Sequence, residues 1–238
     1  MGDINYTHTS ALHNPKDALT ILPLVLDLIN PQSVLDVGCG NGSWLNAAKT
    51  LGVANVLGVD GIQVPDEELL VGRHEFLKHD LTTPFNLNKK FDLAISLEVA
   101  EHLPEQSATT IVKSLCDHSD VILFSAAIPN QGGQYHYNEQ WPAYWQQLFE
   151  DNDYFAFDFI RPKIWNDPNL FWWYRQNTMV FVKSESSLIA KFGPKTDKVM
   201  SLIHPDLYNR KMNKPKHMNK TELYRLFKIL IKESLKKF

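Results

Sequence analysis

Val34-Leu35-Asp36-Val37-Gly38-Cys39-Gly40-Asn41-Gly42 decides the fold of this 238-residue chain. A short apolar run ends in an acid, and three glycines follow at alternate positions before a stretch with helical spacing. The run reads as a buried strand, and glycine lets the backbone turn sharply and come close to a ligand. At the carboxyl end of a parallel strand, this is how nucleotide-type ligands are held. The spacing separates two ligand classes. A dinucleotide turn reads G-x-G-x-x-G, whereas here Ser43 stands where the third glycine would fall. A diphosphate sits on a helix N-terminus and is repelled by a carboxylate in the turn. Asp36 instead suits a ligand with a positive amino group. The alternative reading is a βα turn that holds nothing.

Outward from this turn, strands alternate with helices. Pro15–Ile29 reads as a helix, with Asn14 as its cap, Pro15 in its first turn and Leu19, Leu22 and Leu26 on one face. Ser33–Val37 is the first strand and Ser43–Leu51 the helix after the turn. Further strands are expected at Val56–Val59 (ending in Asp60), Glu75–Lys78 (ending near Asp80), Phe91–Leu97 and Val121–Ser125. Gln106–Asp117 is the clearest intervening helix. Such alternation implies a parallel α/β sheet with right-handed crossovers and helices on both faces. The rhythm then breaks. A loop rich in Gly, Gln and His spans Pro129–Asn138, and Glu139–Glu150 reads as a helix with Trp141, Trp145, Leu148 and Phe149 on one face. Tyr154–Ile160 and Tyr174–Lys183 read as two more strands. Residues 184–218, with Pro194, Pro205 and Pro215, look like an irregular linker before a helix at Thr221–Lys237. The expected domains are 1–183 and a basic tail, 184–238.

Composition narrows the function classes. An apolar content of 44% and a charged content of 21% suit a globular protein. From Leu188 onward there are 13 Lys and Arg against 4 Asp and Glu, a net +9, which leaves residues 1–187 at −12. An acidic body lacks the phosphate neutralisation on which nucleic-acid affinity rests, so no nucleic-acid partner is expected. Cys39 and Cys116 are too few and too far apart for a disulfide framework or a structural zinc site. No signal peptide opens the chain, and Ala18–Ile29 is too short to span a bilayer and contains Asp27. The expected location is cytoplasmic. The tail helix carries Leu223, Leu226, Phe227 and Leu230 on one face and Lys220, Arg225, Lys228, Lys232, Lys236 and Lys237 elsewhere. It suits docking on its own domain, self-association, or peripheral contact with an anionic membrane.

The turn at Asp36–Gly42 resembles motif I of the class I S-adenosylmethionine-dependent methyltransferases. That resemblance implies a Rossmann-like, seven-stranded, mostly parallel sheet whose last strand is antiparallel, with S-adenosylmethionine as cofactor. Gly38, Gly40 and Gly42 would cup its methionine and ribose portions. Asp60 would take the ribose hydroxyls, since a carboxylate accepts two hydrogen bonds side by side. Asp80 would bind the adenine amino group, with Leu81 beside it, and Leu97-Glu98 would pass the sulfonium. A solvated strand-end acid is the plainer reading of each Asp alone. Their order along consecutive strands is what argues for a site.

The acceptor side is read from three segments. The place after strand four holds Glu98-Val99-Ala100-Glu101-His102 instead of the Asn/Asp-Pro-Pro-aromatic tetrapeptide of adenine-N6 and glutamine methyltransferases. Its Glu-x-x-Glu-His element resembles that of small-molecule methyltransferases, while His102 can equally cap and pack the following helix. The Gly132–Trp145 segment, with Phe124–Pro129 and Trp172–Asn177, is similar to a methyltransferase group associated with glycan assembly. The resemblance covers roughly residues 10–183, and it implies transfer to a sugar hydroxyl. His136 is then the candidate general base, with Glu98, Glu101 and Glu139 as alternatives. Asn138, Glu139 and Gln140 would bind neighbouring hydroxyls, and Tyr135, Tyr137, Trp141 and Trp172 would offer flat faces to the sugar. Anchoring of its loop is the other reading of His136, and core packing the other reading of Trp141 and Trp145. Metal-dependent O-methyltransferases use acids after strands four and five. No acid lies between Ser125 and Glu139, so no metal is expected. A non-sugar small-molecule acceptor, or a fold that binds the cofactor without catalysis, are the rival functions.

Overall fold

Strand β1, Ser33–Val37, lies inside the sheet between β2 (Asn55–Asp60) and β4 (Leu93–Leu97), parallel to both. The computed structural model describes residues 15–212 and 220–235. Outside these strands come β3 (Phe76–Lys78) on one side and β5 (Val121–Ser125), β7 (Met179–Lys183) and β6 (Tyr154–Phe157) on the other. The seven-stranded order is β3-β2-β1-β4-β5-β7-β6. β7 runs antiparallel to both of its neighbours, as expected. The fold is a Rossmann-like, mostly parallel sheet. Its strand order reverses between β1 and β4, where open α/β sheets place ligands.

The central strands are buried on both faces because most of their positions carry apolar residues. Val34, Leu93, Ile95, Val121, Leu123, Val180 and Val182 face one core, which is closed by α1 (Lys16–Ile21), α2 (Pro23–Ile29), α3 (Ser43–Thr50) and α6 (Ile160–Ile164). Leu35, Val37, Ala94, Ile122, Phe124 and Phe181 alternate onto the other. There α4 (Ala108–His118) and α5 (Pro142–Glu150) cover them, with Phe149 stacked on Phe181 at 3.9 Å between ring centroids. Burying each such side chain contributes roughly 1.5–3 kcal/mol.

Several elements depart from the sequence expectation. The Pro15–Ile29 helix is two helices, because Pro23 has no N–H to continue the ladder and instead opens α2. Its inward face is Ala18, Ile21, Leu22, Val25 and Leu26, while Leu19 is exposed. Asn14 lies outside the described residues. β4 begins at Leu93, with Phe91 held only by a single bridge to Ser119. The helix expected from Glu139 starts at Pro142. A residue before proline is pushed to extended backbone, so Trp141 falls outside the helix and is exposed rather than in the core. β6 stops at Phe157, because Asp158 turns to accept from the buried Arg161 guanidinium (Nε to Oδ1 2.7 Å) and α6 begins. The first half of Tyr174–Lys183 is helical, α7 being Trp172–Asn177, and only Met179 onward is strand.

The chain divides into two compact units, residues up to Leu202 and residues from Ile203. In the first, residues beyond β7 still pack: Phe192 lies against Phe157, and the Gln146 carboxamide accepts from Val199 N–H and donates to the Asp197 carbonyl. In the second, α8 (Pro205–Met212) stands within the span expected to be irregular, and α9 covers Lys220–Leu235. Among the described residues, no helix is long and apolar enough to cross a membrane.

Candidate active site

The cofactor-binding candidates gather at the carboxyl ends of β1, β2 and β3. Gly38, Gly40 and Gly42 all have positive φ, at 86°, 53° and 81°. Gly38 also permits a close approach: a Cβ there would lie 2.3 Å from Val99 Cγ2, so the turn packs directly on the residue after Glu98. Asp60 fastens the turn, its Oδ2 accepting from Gly40 N–H and its Oδ1 from Ile62 N–H, each at 2.8 Å. These amides take two of the four acceptor positions of its carboxylate. Asp36 is buried, and no hydrogen bond to its carboxylate is seen among the described residues. Burial, aided by the nearby Asp60 charge, pushes its carboxyl up to about 8. Asp80 is exposed and turned toward Thr82, whose backbone amide (3.0 Å) and hydroxyl (2.7 Å) hold it below the usual carboxylate range. Leu81 and Leu97 are buried beside these acids, in opposite cores.

The acceptor-side residues gather beyond β4 and β5. Glu98 has φ +55°, a conformation that a non-glycine residue holds only when its surroundings enforce it. They do: its N–H donates to the Ser125 carbonyl at 3.0 Å, and its two carboxylate oxygens accept from Gln131 (2.9 Å) and Asn177 (3.0 Å). Burial pushes its carboxyl up, against these hydrogen bonds. The loop after β5 folds back over this point. Tyr137 and Asn138 N–H both donate to the Glu101 carbonyl, at 2.8 and 3.0 Å, and Gln140 N–H to that of Ala127. His136 thereby sits 4.8 Å from His102, edge to face between ring centroids, with its Nδ1 2.9 Å from Glu139 Oε1. Glu139 Oε1 also accepts from Gly132 N–H at 2.6 Å. A carboxylate only accepts, so the neutral His136 ring donates through Nδ1 and carries its lone pair on Nε2. A Cβ at Gly133 would lie 2.1 Å from that Nε2, so only glycine lets the backbone pack this closely against that edge of the ring.

Glu101 is fully buried, and neither carboxylate oxygen makes a hydrogen bond of normal geometry, although its own amide, the Ala127 amide and the Glu98 carboxyl face it. Burial, then the Glu98 charge, pushes its carboxyl well above the usual range. His102 is driven down to about 4, first by burial and then by His136. Of the proposed sugar platforms, Tyr135, Tyr137 and Trp141 are exposed and Trp172 is half-buried, whereas Asn138 is buried with its Nδ2 unpartnered.

The three candidate catalytic residues thus come together in one cluster, and the cofactor candidates in another at the neighbouring strand ends. Gln131, Gln176 and Asn177 were missed by sequence reasoning. They form one buried carboxamide network, Gln176 Nε2 donating to Gln131 Oε1 (3.1 Å) and to Asn177 Oδ1 (2.9 Å). The available signal was a pair of adjacent carboxamides, Gln176 and Asn177, inside a stretch that read as a strand. Two surface depressions, one bounded by Glu150, Phe155 and Asp197 and the other by Asn86, Asp117 and Lys183, share no residue with either cluster.

A protein family described as a methyltransferase domain matches residues 12–182. No curated protein matches the chain by sequence. Among solved structures, the chain is similar to Streptomyces venezuelae DesVI, at 14% identity and a TM-score of 0.52 over 75% of this chain and 100% of that one. The methyltransferase domain of bacterial CtHen1-C shares 19% identity at a TM-score of 0.51, over 71% of this chain and 97% of that one. Magnesium protoporphyrin IX methyltransferase from Synechocystis PCC 6803, with bound SAH, shares 18% at 0.51, over 76% and 90%.

Proposed function

The chain belongs to the methyltransferase-domain family, and we propose that it methylates a sugar hydroxyl of a glycan or glycan precursor. S-adenosylmethionine is the methyl donor, and its sulfonium supplies a methyl group whose C–S bond breaks, with the electron pair passing to sulfur, as the O–C bond forms. The residues at the donor side fit it. Asp36 is a buried carboxylate with a like charge beside it, an arrangement that a positively charged group would relieve. We assign it to the amino end, Asp60 to the ribose hydroxyls and Asp80 to the adenine amino group. The turn from Gly38 to Gly42 offers backbone without side chains, and Leu81 and Leu97 supply apolar walls.

One observation carries the hydroxyl reading: the Glu139–His136 pair, with Nδ1 held by the carboxylate and Nε2 left as the ring's acceptor, on a loop fastened to Glu101. A sugar hydroxyl is weakly acidic and needs a base as it is methylated, and a neutral imidazole is a competent one. Glu139 orients the ring and stabilises its protonated form, while Glu98 is held by Gln131 and Asn177. The polar convergence of Glu98, His102, His136, Asn138 and Gln140 supports a hydroxyl-rich acceptor over an apolar one. Incubation with labelled S-adenosylmethionine and a panel of nucleotide sugars, rhamnosides and oligosaccharides, beside phenols and amines, tests this. At least one sugar should take the label. Label confined to phenols or amines would overturn the sugar acceptor.

A further inference from the structure

One ring nitrogen each of His102 and His136 and one carboxylate oxygen of Glu101 lie within 4.8 Å of one another. From this juxtaposition we propose that Glu101, His102 and His136 bind one divalent transition-metal cation. Two imidazoles and a carboxylate suit Mn2+, Fe2+, Co2+ or Zn2+ better than Mg2+ or Ca2+, which prefer oxygen alone. The second observation is Glu101 itself. It is fully buried, neither of its oxygens makes a hydrogen bond of normal geometry, and one of them lies within 4.8 Å of a nitrogen of each ring. A carboxyl buried in this way ionises only when a positive charge lies beside it, and a cation supplies that charge.

The surroundings are those of a supported metal site. Glu139 holds Nδ1 of His136, as a carboxylate commonly does behind a metal-bound imidazole. His102 Nδ1 lies 3.3 Å from the Tyr135 carbonyl. Glu98, clasped by Gln131 and Asn177, adds a second carboxylate beside Glu101. Ligand atoms about 2.1 Å from a shared ion stand at most ~4.2 Å apart, so the cluster contracts slightly on binding. The expectation of a metal-free site looked only for acids after β4 and β5, whereas the ligand set proposed here takes Glu101 and His102 after β4 and the imidazole of His136 after β5.

The binding site stands without the sugar reading, but its use in catalysis rests on that reading. An acceptor hydroxyl bound to the cation loses its proton more readily, the proton passing to solvent. His136 is then a ligand, not the base.

The test is titration of Mn2+ alone into untagged, EDTA-treated full-length protein, followed by calorimetry and by loss of the free-ion paramagnetic resonance signal. One ion per chain should bind, and Glu101→Gln and His102→Gln should each weaken it at least tenfold, with melting curves verifying that each variant folds. No saturable binding up to about 1 mM Mn2+ or Zn2+, or binding that neither folded variant weakens, overturns the site. Activity on a sugar that survives EDTA in a chain that binds no ion leaves His136 as the base and removes the metal. Ion binding without transfer to any sugar keeps the metal and removes the acceptor reading.

Discussion

The proposed donor and acceptor sides of this site lie at the ends of adjoining strands and are built by different means. On the donor side, backbone does most of the shaping: three glycines with positive φ, fastened by amides that Asp60 accepts. On the acceptor side, side chains do it, through the Gln131–Asn177 clasp on Glu98 and the Glu139–His136 pair. A backbone cradle suits a ligand that is the same in every turnover. A side-chain network can be re-specified residue by residue, which suits the acceptor. Mutations should therefore separate cleanly, donor-side changes altering cofactor affinity and acceptor-side changes altering turnover.

The largest expected effect breaks the acceptor side. His136→Ala should lower turnover by roughly 10²-fold or more, whether the ring is base or ligand, with cofactor affinity by calorimetry unchanged. A fall of less than about tenfold would make His136 a loop anchor and pass its role to Glu98, Glu101 or Glu139. Next, Asp60→Ala should weaken cofactor binding by about 2–3 kcal/mol, the scale of hydrogen bonds to a charged group. The variant also loses the Gly40 and Ile62 contacts, so its melting temperature should fall as well. Unchanged affinity in a folded variant would move the ribose elsewhere.

A third prediction sharpens the donor side through pH. Asp36 has its folded value raised to about 8 from an ordinary 3.8. Between those limits the unfolded chain has released a proton that the folded one retains. Its stabilising contribution is therefore full below pH 4 and declines as pH rises toward 8, by at most ~1.4 kcal/mol per pH unit. Asp36→Asn should flatten the stability profile of the cofactor-free protein between pH 5 and 8, and denaturant melts at four pH values would measure it. An unaltered slope would show that Asp36 ionises normally. The smallest effect concerns the second unit. We propose that α9 rests on an anionic membrane through its basic and apolar faces, so removal of residues 219–238 should lower sedimentation with anionic vesicles, and salt should do the same to the intact chain. No difference at low salt would leave the helix a structural element.

Much of the fold was legible because its signals are local. β1 and β5 begin and end where the sequence placed them, since a buried parallel strand is a continuous apolar run bounded by polar or turn residues. The tandem of Asp36, the glycines, Asp60 and Asp80 was legible for the same reason: each acid follows its own strand. Other elements were settled by partners distant in the chain. Tyr174–Asn177 has strand-like composition, yet it is helical, and so delivers Asn177 to a carboxylate 79 residues away.

The sequence by itself determined where most of the strands lie along the chain and where the glycine turn falls, because apolar periodicity and glycine placement act within a few residues. Only the tertiary structure decided that Glu101 is buried without a hydrogen bond, that His102 and His136 converge on it, and that Gln131 and Asn177 hold Glu98. Burial and convergence depend on which loops fold over which strand ends, and no spacing along the chain encodes that.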